Sequence, residues 1–405
     1  MANRRRAAPS EVHAIVVIPV CDEERIVPLE CVDPEANNHS FEILIVVNHA
    51  VGAAPSVVES NARWFDSNHF IRQPYIHLLD ARNLPPKQAG VGTARKIGMD
   101  EACRRFRSAG RTDGIILSMD ADTACPPDAI DRVVDFYTRH PKCEAAISYF
   151  EHPLHPQEWP WEHLPPDVFR GIYAYELYLR YHIRGMRWAG HVQGYQTIGS
   201  CMSVRYPAYL KRGGMNRRQA GEDFYFLHKY SLVGTLGEIQ TLTLRPSPRI
   251  SHRVPFGTGK AIADFIQRGY LYAVVPEAYA IVRHWLAQVP RYFEGRPALE
   301  VDARLEAFLH HQHFNSALEK MRAHSATPLN FMKRFFQWFD ALKFLQWLHY
   351  YRDHNGEVLP VETAAAQLLK QMHIQPSSDL LQQYRTLDRK DVYRPWNRWK
   401  RALGS

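Results

Sequence analysis

Short apolar runs that end at proline or a polar residue recur through the first part of the chain. They cover residues 13–20, 41–48, 75–79, 114–119 and 143–149. Runs of this length, rich in Val and Ile, are typical of strands buried on both faces of a parallel sheet. Helical spacing occupies 93–109, and a second helix is predicted from 126 to about 137. This alternation predicts an α/β fold with a mostly parallel sheet flanked by helices.

The pattern changes in the second half of the chain. Residues 151–166 are rich in Pro, His and Trp and predict an irregular loop, and 167–187 has helical spacing. Small residues around Gly194 and Gly199 predict a strand within 190–205. They also indicate that another group of atoms lies close to the backbone of this strand. Long helical stretches follow at 260–287, 299–324, 329–351 and 361–373. We therefore expect a flexible N-terminus over 1–10, an α/β catalytic domain over 11–260 and a helical appendage over 261–405.

Composition and charge narrow the class of partner. The 405 residues are 45% hydrophobic and 23% charged, which are ordinary globular values. The net charge of +8 favours an anionic partner, either nucleic acid, a membrane surface or a phosphorylated molecule. The six cysteines include no CxxC pair, so we expect reduced thiols rather than a zinc site or a disulfide framework.

Targeting signals are weak in this sequence. Arg4, Arg5 and Arg6 are not followed by the apolar segment of a signal peptide, and no apolar run reaches the ~18 residues of a membrane span. The expected location is cytoplasmic. The aromatic and basic segment 331–348 either lies on an anionic membrane as a peripheral contact or packs on the protein itself. Trp159, Trp161 and Trp188 likewise either stack on an acceptor sugar or fill the core.

Asp120 and Asp122 are the most informative polar residues. They follow a predicted buried strand directly, and two carboxylates spaced i, i+2 point to the same side. Mg²⁺ or Mn²⁺ prefers such oxygen ligands and shares them with substrate phosphates. The same tripeptide in isolation is usually a solvated loop. Its position at the end of a strand favours a site for a metal ion and a diphosphate.

Two further groups of residues carry candidate chemistry. Glu222 and Asp223 begin a predicted helix, where an acidic residue complements the dipole or, in the case of Asp223, serves as a general base. His252 and Arg253 lie in a segment rich in Gly and Arg, from Arg249 to Gly259. This segment is either a phosphate-contacting loop with His252 as a metal ligand or an ordinary surface loop.

Four motifs in this order resemble the family 2 glycosyltransferases of the GT-A fold. The resemblance covers residues 11–260 and rests on the order and spacing of the motifs. They are Ile18-Pro-Val-Cys-Asp-Glu-Glu24, Gly90-Val-Gly-Thr-Ala-Arg95, Asp120-Ala-Asp122 and Gly221-Glu-Asp223.

The resemblance implies a binding site for a UDP- or GDP-sugar. In such enzymes Pro19 and Glu23 would lie at the nucleotide pocket, and Asn48 would lie near the base, where the family often has an acidic residue. That departure leaves the base open. The residues implied to border the nucleotide or its diphosphate are Lys87, Gly92, Arg95, Asp120 and Arg253. Asp122 would hold the metal ion together with Asp120 and His252.

The resemblance also implies a reaction. Asp223 would be the base that deprotonates a hydroxyl of the acceptor, as in inverting members, and Glu222 would support it. The acceptor is a carbohydrate, a lipid or another hydroxyl compound.

Two alternatives come from other classes. A nucleotidyltransferase that makes a nucleotide-sugar would share the α/β half, but it should carry a Gly-rich loop with Arg and Lys after the first strand, where this chain has Cys21-Asp-Glu-Glu24. A non-enzymatic anion- or nucleic-acid-binding module would need an Arg-rich recognition helix, a zinc pattern or an aromatic platform. The sequence contains none of these, so we expect no nucleic-acid partner.

Overall fold

The computed structural model describes residues 11–66, 73–216, 221–250 and 258–403. Within these residues, eight strands form one sheet. They are β1 (Ala14–Val20), β2 (Phe41–Ala50), β3 (Ile76–Leu84), β4 (Ile115–Ser118), β5 (Thr123–Ala124), β6 (Ala145–Phe150), β7 (Met202–Arg205) and β8 (Leu236–Pro246).

The sheet has the order β3-β2-β1-β4-β7-β6-β8-β5. Strands β3, β2, β1 and β4 are parallel, and β6 is parallel to β8. Strand β7 runs antiparallel between β4 and β6, and the short β5 pairs antiparallel with β8. The predicted α/β class, with a mostly parallel sheet flanked by helices, is therefore confirmed.

Helices lie beside the sheet and continue into the C-terminal half. The helices of the first half are α1 (Val27–Cys31), α2 (Pro55–Asp66), α3 (Val91–Ser108), α4 (Ala129–Arg139), α5 (Pro166–Ala189), α6 (Tyr206–Lys211) and α7 (Glu222–Ser231). Those of the second half are α8 (Thr258–Arg268), α9 (Pro276–Phe293), α10 (Ala303–His311), α11 (Phe314–Ala323), α12 (Pro328–Trp338), α13 (Ala341–Asn355), α14 (Val361–Gln371), α15 (Leu380–Lys390) and α16 (Pro395–Ala402). A strand pair, β9 (Tyr272–Val274) with β10 (Val358–Pro360), joins two of these helical segments.

The buried side chains form two large clusters. The first lies around the sheet and draws on β1, β2, β4, α3 and α4. The second is built from α5, α9 and the helices from α10 to α16. Because α5 contributes to the second cluster, the helical region packs directly against a helix of the α/β part. The division near residue 260 stays a prediction.

The aromatic segment 331–348 packs on the protein itself. Phe331, Phe335, Phe336, Phe344 and Trp347 on α12 and α13 are all completely buried in the second cluster. The segment therefore offers its apolar face to the core and not to a bilayer. In the described parts of the chain, every helix is too short or too polar to cross a membrane.

Buried ion pairs connect α5 with α15. Arg180 on α5 donates through Nε to Glu176 at 2.8 Å and through Nη1 to Asp388 on α15 at 2.7 Å. Arg385 on α15 donates through Nε to Glu176 at 2.7 Å, and Nη2 of Arg180 donates to the Phe150 carbonyl at the end of β6. The C-terminal region is thus tied to the end of β6, which precedes the loop at 151–165, and to α5, which follows it.

Some elements differ from the expectation. Strand β8 was not predicted, because its buried positions alternate irregularly with polar ones, such as Glu238 and Gln240, over Leu236–Pro246. Within 190–205 only Met202–Arg205 is a strand. The helical stretches 260–287, 299–324 and 329–351 are each divided into two helices. A continuous apolar spacing does not reveal such breaks, since the helices on both sides of a turn pack into the same core.

Candidate active site

The acidic turn Asp120-Ala-Asp122 lies at the C-terminal end of β4, next to β1. Its backbone is held from both sides: the Val27 N–H donates to the Ala121 carbonyl at 2.8 Å, and the Ser247 N–H donates to the Asp122 carbonyl at 3.0 Å. The side chains of Asp120 and Asp122 remain 36% and 29% exposed. The turn is therefore fixed while its carboxylates stay accessible at the sheet edge where ligands of α/β folds bind.

Arg95 connects this turn to helix α7. It lies in the second turn of α3 and is only 3% exposed. Its Nη2 atom is 2.5 Å from Oδ1 of Asp120, and its Nη1 atom donates to Oε1 of the buried Glu222. Burial opposes the charge of Arg95, but Asp120 and Glu222 outweigh this effect and raise its pKa. One guanidinium thus pairs with carboxylates from two motifs far apart in sequence.

A glycine makes room for this guanidinium. A Cβ atom at Gly199 would lie 2.5 Å from both Nη atoms of Arg95, closer than real Cβ contacts come. Gly199 lies in a single helical turn just before β7. The close approach of side chain to backbone that the small residues of 190–205 predict therefore occurs here, and the approaching group is Arg95.

Asp223 lies beside this network in the first turn of α7. The residue before the helix, Gly221, has a φ of +71°, which favours glycine. One oxygen of Asp223 accepts a hydrogen bond from the Phe224 N–H at 2.7 Å. Burial and the neighbouring Glu222 raise the pKa of Asp223 to about 7, although Arg95 acts in the opposite direction. At neutral pH this carboxyl group is balanced between its acid and base forms.

Arg249 lies on the other side of the acidic turn. Its Nη2 atom is 2.6 and 2.8 Å from the two carboxylate oxygens of Glu23 and 2.8 Å from Oδ2 of Asp122. Glu23 is buried in the loop after β1. Burial acts against the positive charge of Arg249, but these carboxylates raise its pKa. The loop after β1, the acidic turn and the segment after β8 therefore meet at one arginine.

Pro19 and Asn48, two other residues expected at the nucleotide, lie towards the carboxyl ends of β1 and β2. Pro19 is buried in β1 opposite Val46 of β2. Asn48 is buried near the end of β2, and its Nδ2 donates to the Val20 carbonyl at 3.0 Å. Its amide therefore joins the ends of two neighbouring strands.

Lys87 and Gly92 lie near the start of α3. Lys87 is exposed on the turn that precedes the helix, and Gly92 is buried in the first helical turn. His252 and Arg253 fall outside the described residues, so their expected contacts with a metal ion and a diphosphate stay predictions.

Sequence reasoning missed two positioning contacts. Asn61 on α2 donates through Nδ2 to the Asn48 carbonyl at 2.9 Å, and its Oδ1 accepts from the Asp22 N–H at 2.9 Å. Nothing in the local pattern around Asn61 signals this. The bridge made by Arg249 was also missed, although its place in a cationic, Gly-rich segment marked it as a candidate for anion contact.

The side chains of the acidic turn fit a hard divalent cation that completes its coordination shell with oxygen atoms of phosphates and waters. Asp120 and Asp122 supply two partly exposed carboxylates on one turn, and Mg²⁺ commonly uses one or two protein carboxylates together with phosphates and waters. Among the residues described, no cluster of three or more His, Cys, Asp or Glu side chains is arranged to hold a metal ion. Within the described residues, the protein part of such a site would be the two aspartates, and His252 stays a predicted third ligand.

Comparison with known proteins gives structural likeness only. No protein-family model matches the sequence, and no curated protein matches it. Residues 1–349 of S. aureus TarS in complex with UDP-GlcNAc align over 85% of this chain and 93% of that one, at 12% identity and a TM-score of 0.39. The same TarS fragment in complex with UDP aligns over 89% and 92%, at 12% identity and a TM-score of 0.36. A likeness of this size concerns the general arrangement of strands and helices and carries no conclusion about activity.

Proposed function

We propose that this protein transfers a sugar from a nucleoside-diphosphate sugar to an acceptor hydroxyl. The observation that carries the proposal is the bridge made by Arg95 between Asp120 and Glu222. It joins the acidic turn, which would face the phosphates of the donor, to the helix that carries Asp223. The pKa of the Asp223 carboxyl group is about 7. In the proposed reaction, the donor side and the acceptor side would both lie at one edge of the sheet.

The donor would bind at the carboxyl ends of β1, β2 and β4. Glu23 and Asn48 line the ends of β1 and β2, where the nucleoside would lie. Asp120 and Asp122 would hold Mg²⁺ or Mn²⁺, which when bound neutralises the diphosphate as it leaves. Arg95 and Arg249 keep the acidic turn in one place, and this preorganisation of charge favours a reaction that develops charge on the phosphates.

Asp223 would act on the acceptor. Its carboxylate takes the proton of the acceptor hydroxyl while that oxygen bonds to the anomeric carbon of the donor. The bond from this carbon to the diphosphate oxygen breaks at the same time, so the configuration inverts. Glu222 is bound to Arg95, so its support for Asp223 would be electrostatic: its negative charge raises the pKa of Asp223 and makes it a stronger base.

A binding experiment tests the donor half of the proposal. Thermal unfolding of the full chain is measured with UDP, GDP, ADP and CMP, each with and without Mn²⁺. A ligand at 100 times its Kd stabilises the folded state by about 2.7 kcal/mol. We expect UDP or GDP with Mn²⁺ to stabilise the wild type, and Asp122→Ala to lose the part of the shift that depends on Mn²⁺.

The matched control is Asp135→Ala, because Asp135 is an exposed aspartate of α4 away from the turn. It should behave as the wild type. Equal shifts for Asp122→Ala and the wild type would remove Asp122 from the metal site, and the absence of any nucleotide effect would remove the proposed function.

A further inference from the structure

A cavity opens where β5 and β8 form the edge of the sheet. Its volume is about 290 Å³, and its walls come from β5, β8, helix α4 with the segment before it, and the loop at 151–165. Pockets that bind small molecules typically begin at roughly 300 Å³. The cavity therefore has a size that suits one compact ligand, such as a single sugar unit.

Two arginines supply positive charge to the wall of this cavity. Arg132 on α4 is held in place, since its Nε donates to Oδ1 of Asp128 at 2.9 Å and its Nη1 donates to the Thr241 carbonyl at 2.7 Å. Arg245 on β8 is exposed, and within the described residues its side chain has no hydrogen bond and no ion pair. A guanidinium with free N–H groups binds a carboxylate or a phosphate through two parallel hydrogen bonds. Arg245 is therefore the group of the cavity best suited to bind an anion.

The charges around the cavity favour a negatively charged ligand. Of the described residues that line it, two are arginines and one, Glu158, is acidic. Oε2 of Glu158 already accepts a hydrogen bond from the Leu154 N–H at 2.7 Å. A third arginine, Arg389 on α15, donates to Oγ1 of Thr243 at 3.0 Å, and Thr243 lines the cavity beside Arg245. The local excess of positive charge raises the concentration of anions at this edge of the sheet.

An indole ring forms another part of the wall. Trp161 is half-buried, its Nε1 donates to Oε2 of Glu30 at 2.9 Å, and its ring packs edge-on against the buried Trp159 with the ring centroids 4.9 Å apart. These contacts fix the ring before any ligand binds. The face of an aromatic ring is negative and attracts groups with partial positive charge, such as the C–H groups on one side of a sugar ring. A fixed ring beside arginines suits a sugar that carries an anionic group.

We propose that this cavity is a binding site for an acidic sugar unit, that is, a sugar ring that carries a carboxylate or a phosphate. Arg245 binds the anionic group, and Arg132 adds a second, fixed positive charge. The ring of the ligand packs on Trp161. Glu158 accepts hydrogen bonds from the hydroxyl groups, which a carboxylate can do with both of its oxygens.

The cavity lies beside the candidate active site. Arg245 comes two residues before Ser247, whose N–H holds the acidic turn through the Asp122 carbonyl. Two residues of chain span at most about 7 Å. A ligand of several sugar units that is bound here can therefore extend towards the acidic turn. The proposal does not depend on sugar transfer, because it concerns binding alone.

Isothermal titration calorimetry on the full chain tests the class of ligand. Glucuronate and glucose 6-phosphate are compared with glucose, which lacks the anion, and with inorganic phosphate, which lacks the ring. A ligand of this size should bind with a Kd in about the millimolar range. We expect at least one acidic sugar to bind about 10–100-fold more tightly than either glucose or phosphate, and the tighter of the two identifies the anionic group. Glucose or inorganic phosphate binding as tightly as the acidic sugars, or no saturable binding of either acidic sugar, would overturn the proposal.

Variants locate the bound sugar. Arg245→Gln removes an exposed cation, so the protein should stay folded by circular dichroism while its Kd for the acidic sugar rises about 10–100-fold. Arg139→Gln, at the exposed C-terminal end of α4, is the matched control and should bind as the wild type does. Trp161→Ala should weaken binding, and Trp161→Phe, which keeps an aromatic face, should restore most of it. An Arg245→Gln protein with wild-type affinity would place the ligand elsewhere and refute this assignment.

Discussion

Replacement of Asp223 by Asn tests the proposed acceptor chemistry most directly. The substitution keeps the size of the side chain and an oxygen that can accept from the Phe224 N–H, but it removes the carboxylate that would take a proton. General base catalysis typically contributes 10²–10⁴-fold, so we expect kcat to fall by about that factor. The apparent affinity for the donor nucleotide should change little, because in the proposed site the donor would be held by the acidic turn and not by Asp223.

The pKa of about 7 makes a second, quantitative expectation for the wild type. Only the ionised carboxylate acts as a base, so kcat/KM should level off above pH 7 and fall about tenfold for each pH unit below it. Because Glu222 and Asp223 interact, the measured value belongs to the pair and not to one residue. Replacement by Asn should remove this limb of the pH profile along with most of the rate.

Stability gives a readout that does not require the acceptor. Burial and Glu222 raise the pKa of Asp223 above its ordinary value of 3.8, so the folded protein holds this proton more tightly than the unfolded chain. The wild type should therefore lose stability relative to Asp223→Asn as the pH rises from about 4 to about 7. The difference in Tm between the two proteins should be smallest at pH 4 and reach its full size above pH 7.

The control for both assays is Asp135→Asn on the exposed face of α4. Its pH profile and its Tm should follow those of the wild type. A wild-type rate that stays constant from pH 5 to pH 8, or an Asn variant with normal kcat, would refute the role of Asp223 as the base.

Four further predictions concern the charges of the site and of the helical region. Arg95→Gln leaves the buried Glu222 without its cation, so it should lower the free energy of unfolding by about 3–5 kcal/mol in urea titrations. Gly199→Ala places a Cβ against the same guanidinium and should cost about 1–3 kcal/mol, with no additional loss in the Arg95→Gln background. Asp122→Ala should abolish transfer that depends on Mn²⁺ while the protein remains folded, as activity assays and circular dichroism would show. Asp388→Asn removes a negative charge that faces two buried arginines of α5, so it should lower the free energy of unfolding by about 3–5 kcal/mol in urea titrations.

Much of the α/β part was predictable because its signals are local. Strands β1, β2 and β4 are buried on both faces, and so their sequences are nearly continuous apolar runs. The acidic turn follows β4 directly, so its place at the sheet edge needed no tertiary information. The start of α7 at Glu222 could likewise be read from the apolar spacing that follows it.

Other features depended on contacts between distant segments. Strand β8 was missed because polar residues within it interrupt the apolar pattern of a buried strand. Its place in the sheet comes from pairing with β6 and β5. The membrane alternative for 331–348 could not be decided from the sequence, since an apolar helix face looks the same whether lipid or protein covers it. Only the packing of α12 and α13 in the second core decided it.

The sequence by itself determined which residue types stand at the ends of the strands and therefore where phosphate chemistry was to be expected. The tertiary structure alone decided which charges meet: Arg95 with Asp120 and Glu222, and Arg249 with Glu23 and Asp122. The physical reason is that strand and helix patterns follow from neighbours along the chain, whereas a pair of charges forms only when packed elements bring distant residues within a few ångströms.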